Sequence, residues 1–295
     1  MYKRQTRKYY DLTDERSAHI NKLKGDLHTV FPQYLDVFCD VTGKTSTMIL
    51  RQYGTPDKIL RGHKKTMIEK ISKASRKGLA KASERYEKLC AAANAAKTFG
   101  CQIDSIYFNI FLTLDLVEKL DSALDSILNR IRQLITFNKN EKFIQQIKLL
   151  NTIPGVGFLT AVTIMCEIGD FSAFRNPKQL FAYFGLDPEV NESGKFVGTQ
   201  LHMSKRGSRI ARRAIFAVAL ASIRTKRNGE GINPYLRKYY ELKSGQKPKM
   251  VAIGAVMHKV CNIVFAVLRD EKAFELRSPE EHLSLIHISE PTRRS

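Results

Sequence analysis

Apolar residues at Val117, Leu120, Leu124, Ile127, Ile131 and Leu134 alternate in steps of three and four. Such a heptad seam predicts a long helix running from about Ser105 toward Leu150, with a partner helix covering the seam. The run is only about two and a half heptads long, so the partner can lie in the same chain or in a second subunit. Asn138-Lys139-Asn140 predicts a break before a further helix, Glu141 to Asn151. Upstream, Thr6 to Lys97 is polar and helical in tone. It is interrupted at Phe31-Pro32, Thr42-Gly43 and Thr55-Pro56, which predicts short helices with turns between them. Lys64 to Lys97, rich in Lys, Arg, Ala and Glu, predicts a solvated helix or helix pair broken near Gly78. Leu35 to Val41, L-D-V-F-C-D-V, has the look of a nuclease strand with acidic ligands, but no second acidic strand follows. It reads as a short extended or helical piece after a proline.

Downstream, Ile153-Pro154-Gly155-Val156-Gly157 separates two amphipathic helices, the second being Phe158 to Ile168, ended by Gly169. A helix near Pro177 to Phe184, the turn Leu186-Asp187-Pro188 and a glycine-rich loop or hairpin, Glu192 to Gly198, come next. A further helix starts near Ser204 or Ser208 and packs Ile210, Ala214, Ala217 and Val218 inward. Asn233-Pro234 supplies a cap and first-turn proline for Tyr235 to Leu242, and Pro248 opens a long helix to Leu268. Ala252, Gly254 and Ala255 permit close helix contact in that last element, while Val256, Val260, Ile263, Val264 and Val267 are core candidates. The fold class is mainly α. A helical region (6–97) and a long coiled-coil helix (98–150) precede a compact helical domain (151–275) containing a helix-hairpin-helix and a short β-hairpin or loop.

Net charge changes the picture, because a formal +20 calls for a polyanionic partner, an anionic membrane surface being the competing one. Both ends carry segments of foreign character. Leu283 to Arg293 is the translation of a common library adapter, and Met1 to Gln5 fits its reverse complement, so residues 1–5 and 283–295 are expected to be adapter-derived. Those segments hold Lys3, Arg4, Arg293 and Arg294 against Glu290, so the basic excess belongs to the rest of the chain. No apolar run approaches the ~20 residues that cross a bilayer, and no signal peptide is visible, which predicts a cytoplasmic protein without a membrane partner. Cys39, Cys90, Cys101, Cys166 and Cys261 are scattered and odd in number, which suits buried thiols in a reducing compartment.

Chemistry concentrates between Ile153 and Arg213. Gly155 and Gly157 allow a tight turn of positive φ that approaches a phosphate closely, with the N–H groups and positive dipole of the following helix behind it. An ordinary interhelical turn has the same composition. From Lys195 to Arg213 the chain carries Lys195, Lys205, Arg206, Arg209, Arg212 and Arg213 and no acidic residue. Arg206, Arg209 and Arg213 are spaced to form one helical stripe suited to phosphate contact. Ser204 lies beside Lys205 and Arg206, where N–H and guanidinium groups can hold a phosphodiester under attack. A serine at a helix start is also an N-cap, Ser208 is the alternative cap, and Ser193 is the alternative nucleophile. No set of metal ligands is evident, and His258 reads as a surface or interhelical histidine.

The ordered blocks I-P-G-V-G-F-L-T-A at 153, E-I-G-D-F-S-A-F at 167, L-F-A-Y-F-G-L-D-P at 180, S-G-K at 193, M-S-K-R-G-S at 203 and A-R-R-A-I at 211 resemble the IS-one-ten family of insertion-sequence transposases, the bridge-RNA-guided recombinases. F-P-Q-Y-L-D-V-F at 31 and L-R-Q-Y-G-T-P at 50 resemble the helical region after that family's nuclease domain. The resemblance covers most of residues 6 to 275. It implies an N-terminal RuvC-like nuclease half whose acidic residues bind Mg2+, with no counterpart here, and an essential serine that falls on Ser204. It further implies attack on a DNA phosphate, a phosphoserine link and strand exchange directed by a guide RNA. The heptad seam itself favours a homo-oligomer formed through the coiled coil. A chain without the magnesium half is expected to bind DNA without cleaving it. The alternative functions are a non-catalytic helix-hairpin-helix module for structured nucleic acid, or a coiled-coil scaffold, which leaves the basic run unexplained.

Overall fold

The computed structural model describes residues 2–100, 103–189, 192–193, 196–197 and 203–277. Among these, thirteen α-helices, one 3-10 turn and a single two-residue hairpin form two compact units. One unit comprises Lys8–Asn129, and the other comprises the first seven residues with those from Arg130 onward.

The first unit takes α1 (Tyr2–Val30) from Lys8 on, then α2 (Tyr34–Val37), α3 (Lys44–Gln52), α4 (Pro56–Arg61), α5 (Lys64–Ser75), α6 (Leu79–Phe99) and α7 (Asp104–Thr136) as far as Asn129. The breaks fall where Pro and Gly place them. Phe31-Pro32 follows α1, Gly43 precedes α3, and Gly78 separates α5 from α6. Thr55 caps α4 by accepting the Lys58 N–H, with Pro56 in the first turn. The expectation of short helices throughout fails for α1, whose 29 residues run unbroken because no Pro or turn pair interrupts them. Its first residues include the segment expected to be adapter-derived. Leu23, Leu27, Phe31, Tyr34, Ile49, Leu50, Ile59, Met67, Ile71 and Leu89 make the core of this unit. Each such buried side chain contributes roughly 1.5–3 kcal/mol. Tyr34 sits between Phe31 and Phe38, at ring-centroid distances of 5.1 and 4.9 Å, and donates its hydroxyl to the Ser46 carbonyl at 2.9 Å. Asp40 accepts from the Thr42 N–H and hydroxyl, so the acidic stretch at 35–41 serves a local turn.

The heptad seam finds its cover within the chain. Leu120 and Leu124 of α7 pack on Leu12 and Tyr9 of α1, and Arg16 pairs with Asp121 beside them. Phe108, Leu112 and Leu116, on another line of α7, are exposed.

The second unit is built from α8 (Glu141–Leu150), α9 (Phe158–Ile168), α10 (Pro177–Tyr183), α11 (Arg209–Ser222), α12 (Pro234–Ser244) and α13 (Lys249–Asp270). Asn140, Asn176 and Asn233 cap α8, α10 and α12 with their side-chain oxygens, each cap contributing about 1 kcal/mol. β1 (Glu192–Ser193) and β2 (Phe196–Val197) pair antiparallel, with Glu192 opposite Val197. Around α13 pack α8, α10, α11 and α12. The 22 residues of α13 are long and apolar enough to cross a bilayer, which corrects the sequence expectation. Here Ala252, Val256, Val260 and Val264 are fully buried among the neighbouring helices. His258 meets the Phe181 ring edge-on at 4.5 Å, and burial with the adjacent Lys259 charge lowers its pKa, so it is an interhelical histidine. Gly254 has nothing within 4 Å of a built Cβ and lines an open groove, so it does not serve the close helix contact expected of it. Of the cysteines, Cys166 and Cys261 are buried and Cys39 is exposed, and Cys101 lies outside the described residues.

Candidate functional site

The hairpin at 153–157 joins α8 to α9 as the sequence predicts, but its two glycines do different work. Gly155 has φ +94°, and a Cβ there would stand 2.9 Å from Ser222 Oγ and 3.1 Å from Ser222 N. Only glycine fits both the backbone angle and the closeness of α11. The Ser222 hydroxyl donates to the Pro154 carbonyl at 2.9 Å and fastens the hairpin to the end of α11. Gly157, by contrast, is extended at φ −90°, opens α9 as its N-cap and meets nothing. Positive φ was expected at both glycines and holds only for Gly155.

The loop bearing Ser204 is clasped to the turn after α10. Pro188 and Met203 form an antiparallel bridge, Ser204 N–H donates to the Asp187 carbonyl at 2.8 Å, and Lys205 N–H donates to the Gly185 carbonyl at 3.1 Å. Gly207 and Gly185 touch back to back. A Cβ on Gly207 would stand 2.0 Å from the Tyr183 carbonyl oxygen, so this crossing of two backbones admits no side chain. Arg212 completes the clasp by donating from one nitrogen to the carbonyls of Phe184 and Gly207, at 3.0 and 3.4 Å. Burial lowers its pKa.

Ser208, not Ser204, caps α11. Its oxygen accepts the Ala211 N–H at 3.1 Å while its hydroxyl donates to Glu167 at 2.8 Å. Ser204 instead donates to Asp187 Oδ1 at 2.6 Å. Lys205, immediately after it, holds φ +55°, a left-handed conformation uncommon for a side-chain-bearing residue. Such positions concentrate at functional sites. Because α11 begins only at Arg209, Arg206 stands in the loop and the stripe expected at 206, 209 and 213 does not lie on one helix. Arg209 and Arg213 remain one turn apart on α11, while Lys205, Arg206 and Arg209 are exposed and Arg213 is half-buried. Together with Met203, Phe216, Met250, Ile253 and Met257, the arginines of α11 line an open groove of about 340 Å³. Lys195 lies outside the described residues, as does the Ser193 side chain.

Three features were missed in the sequence. Glu167, at the end of α9, is fully buried and receives Arg7 through two bonds of 2.8 and 2.9 Å, Lys3 at 3.4 Å and the Ser208 hydroxyl. Burial alone would raise its pKa. The bonds from Arg7 and Ser208 and the nearby Lys3 charge outweigh that and hold it below the usual carboxylate range. Asp187 reads as a turn residue, and nothing local links it to a serine 17 positions on. An exposed basic loop after α11, holding Arg224, Lys226 and Arg227, turns at Gly229 (φ +84°) and closes through a Thr225–Gly231 bridge.

These features define a helical domain in which a glycine-turned helix pair supports a clasped serine loop with a basic surface. Residues 147–241 match the Transposase IS116/IS110/IS902 family. An uncharacterized protein of insertion element IS110 from Streptomyces coelicolor is 24% identical over 272 residues, covering 91% of this chain and 63% of the relative. The pilin gene-inverting protein of Moraxella bovis is 30% identical over 177 residues, 60% of this chain and 52% of its own. The transposase for insertion sequence element IS1111A from Coxiella burnetii is 26% identical over 188 residues, covering 62% of this chain and 50% of the relative. The chain thus spans between half and two thirds of the length of these relatives.

Proposed function

We propose that this chain is the DNA-gripping, serine-bearing part of an insertion-sequence transposase, and that Ser204 is the nucleophile that attacks a DNA phosphate. What carries the reading is the placement of Ser204. It caps no helix, its hydroxyl is aimed by Asp187, and it stands beside the strained Lys205 and the exposed Arg206. A hydroxyl held by a base and flanked by cations is the arrangement that covalent phosphoryl transfer needs. Arg209 and Arg213 contact the sugar-phosphate backbone, as do the hairpin at 153–157 and the first N–H groups of α9. Arg212 belongs to the clasp. A guide RNA supplies site choice, with its backbone on the same basic surface.

Among the described residues no three His, Cys, Asp or Glu side chains stand together to hold a metal ion. The described residues therefore do not fit the magnesium that the resemblance implies.

Covalent trapping tests the proposal. The chain is joined to a nuclease half from a family member, incubated with labelled DNA and magnesium, and denatured. An adduct mapping to Ser204 is expected, with none from Ser204→Ala. An undiminished adduct in Ser204→Ala overturns the assignment.

A further inference from the structure

From the pairing of two side chains we infer that Asp187 is a catalytic residue, the general base that takes the Ser204 proton. This rests on the reading of Ser204 as nucleophile and adds the group that activates it. An unaided serine hydroxyl is a weak nucleophile, and an adjacent base within hydrogen-bond reach makes it an effective one. The Ser204 Oγ to Asp187 Oδ1 distance of 2.6 Å lies in the short range of O–H···O⁻ bonds.

Three observations separate this pair from a bond that merely holds a loop. The loop is already held by backbone, through the Pro188–Met203 bridge, two N–H to carbonyl bonds and the Gly185–Gly207 crossing. A side-chain bond adds little to that clasp but fixes where the hydroxyl hydrogen points. Second, Ser208 offers a direct contrast. Its hydroxyl also meets a carboxylate, but Glu167 is fully buried and ion-paired, and the Ser208 oxygen is occupied by the Ala211 N–H. Among the described residues, Ser204 Oγ accepts no hydrogen bond and Asp187 has no ion-pair partner. One oxygen has lone pairs open to an electrophile, and its carboxylate is uncommitted to a cation. Third, Asp187 is half-buried, while Lys205 and Arg206 are exposed. The base is partly shielded and the cations are open to an incoming phosphate.

In the DNA reaction a Ser204 Oγ–P bond forms as the P–O bond to the sugar oxygen breaks. The Ser204 proton passes to Asp187, and the departing oxygen carries its electron pair and takes a proton from solvent water.

The pair can be tested on the chain itself with an alkyl fluorophosphonate probe, which needs no metal ion. Ser204 forms an O–P bond, fluoride leaves with the P–F electron pair, and the proton passes to Asp187. Intact-mass and peptide analysis should place one label on Ser204, with none on Ser204→Ala. Asp187→Asn keeps an oxygen that accepts the hydroxyl hydrogen but cannot take the proton. Labelling should fall about a hundredfold, with an unchanged melting temperature. Asp187→Ala should be equally slow and should recover with rising formate concentration, which a purely structural role would not allow. For the wild-type chain the labelling rate should drop about twofold or more in D2O, a proton being in flight; this measurement stands even if a variant misfolds. No label on wild-type Ser204 sinks the nucleophile reading and the base with it. A wild-type label that is as fast in Asp187→Asn, or insensitive to D2O, sinks the base alone.

Discussion

Gly185 and Gly207 lie so close that a Cβ on either would stand within 2.6 Å of the other's backbone nitrogen. The serine loop and the turn after α10 therefore meet backbone to backbone, and no rotamer change can relieve a methyl group between them. Gly207→Ala should destabilise the second unit by about 3 kcal/mol, the upper end for overpacking, and should abolish labelling at Ser204. Thermal melts and the fluorophosphonate assay read the two effects. A fully labelled, stable Gly207→Ala chain would show that the crossing has room for a methyl group.

The buried Glu167 makes stability depend on pH with a definite sign. Its folded pKa lies below the ordinary glutamate value of about 4.3. Its contribution is therefore present above that value and is lost as pH falls through the folded value. Glu167→Gln should be less stable than wild type at neutral pH and should show a flatter acid limb in urea titrations. Arg7→Ala, which strips the main partner from a buried carboxylate but leaves Lys3 and Ser208 on it, should cost about 1 kcal/mol, the half-exposed guanidinium being screened by solvent. Equal acid sensitivity in wild type and Glu167→Gln would remove Glu167 from the account.

The arginines of α11 divide by role. Arg209→Ala and Arg213→Ala should each weaken duplex binding and reduce the salt slope by about one counterion. Arg212→Ala should instead lower the melting temperature, because its guanidinium holds the carbonyls of Phe184 and Gly207. Binding isotherms at several salt concentrations, beside melts of the same variants, distinguish the two.

The hairpin glycines should separate in the same way. Gly155→Ala forces a side chain into positive φ and against Ser222, so the fold should suffer. Gly157→Ala meets open space and should cost no more than about 1 kcal/mol, the price of a poor N-cap. If the backbone at 157 approaches a phosphate, DNA affinity should still fall. Unchanged affinity would put the grip elsewhere.

Leu124→Ala tests where the seam finds its partner. Leu124 packs on Leu12 and Tyr9 of the same chain, so the variant should lose about 2–5 kcal/mol. That loss should not vary with protein concentration. A concentration-dependent loss would assign the seam to a second copy.

Local signals were legible in the sequence and long-range ones were not. Asn140, Gly78 and Asn233-Pro234 fix helix ends because capping chemistry acts within one turn, and all three ends fall where the residues put them. The heptad seam announced a covering helix but not which one, since periodicity on α7 carries no information about α1. Ser204 and Ser208 are indistinguishable as caps by composition. The close approach of Gly207 to Gly185 decides between them by holding the chain out of helix until Arg209. Glu167 reads as an ordinary helix-end acid, and only tertiary packing brings Arg7 to it across 160 positions.

At one end of α9 lies the hairpin, and at the other lies Glu167, which anchors the cap of α11 just past the serine loop. Eleven helical residues rise about 16 Å, roughly five nucleotide steps along one strand at 3.4 Å each. If the hairpin grasps the strand that Ser204 opens, the interval between the two points is set by the turns of α9, and one turn more or less would move it by about one and a half nucleotides.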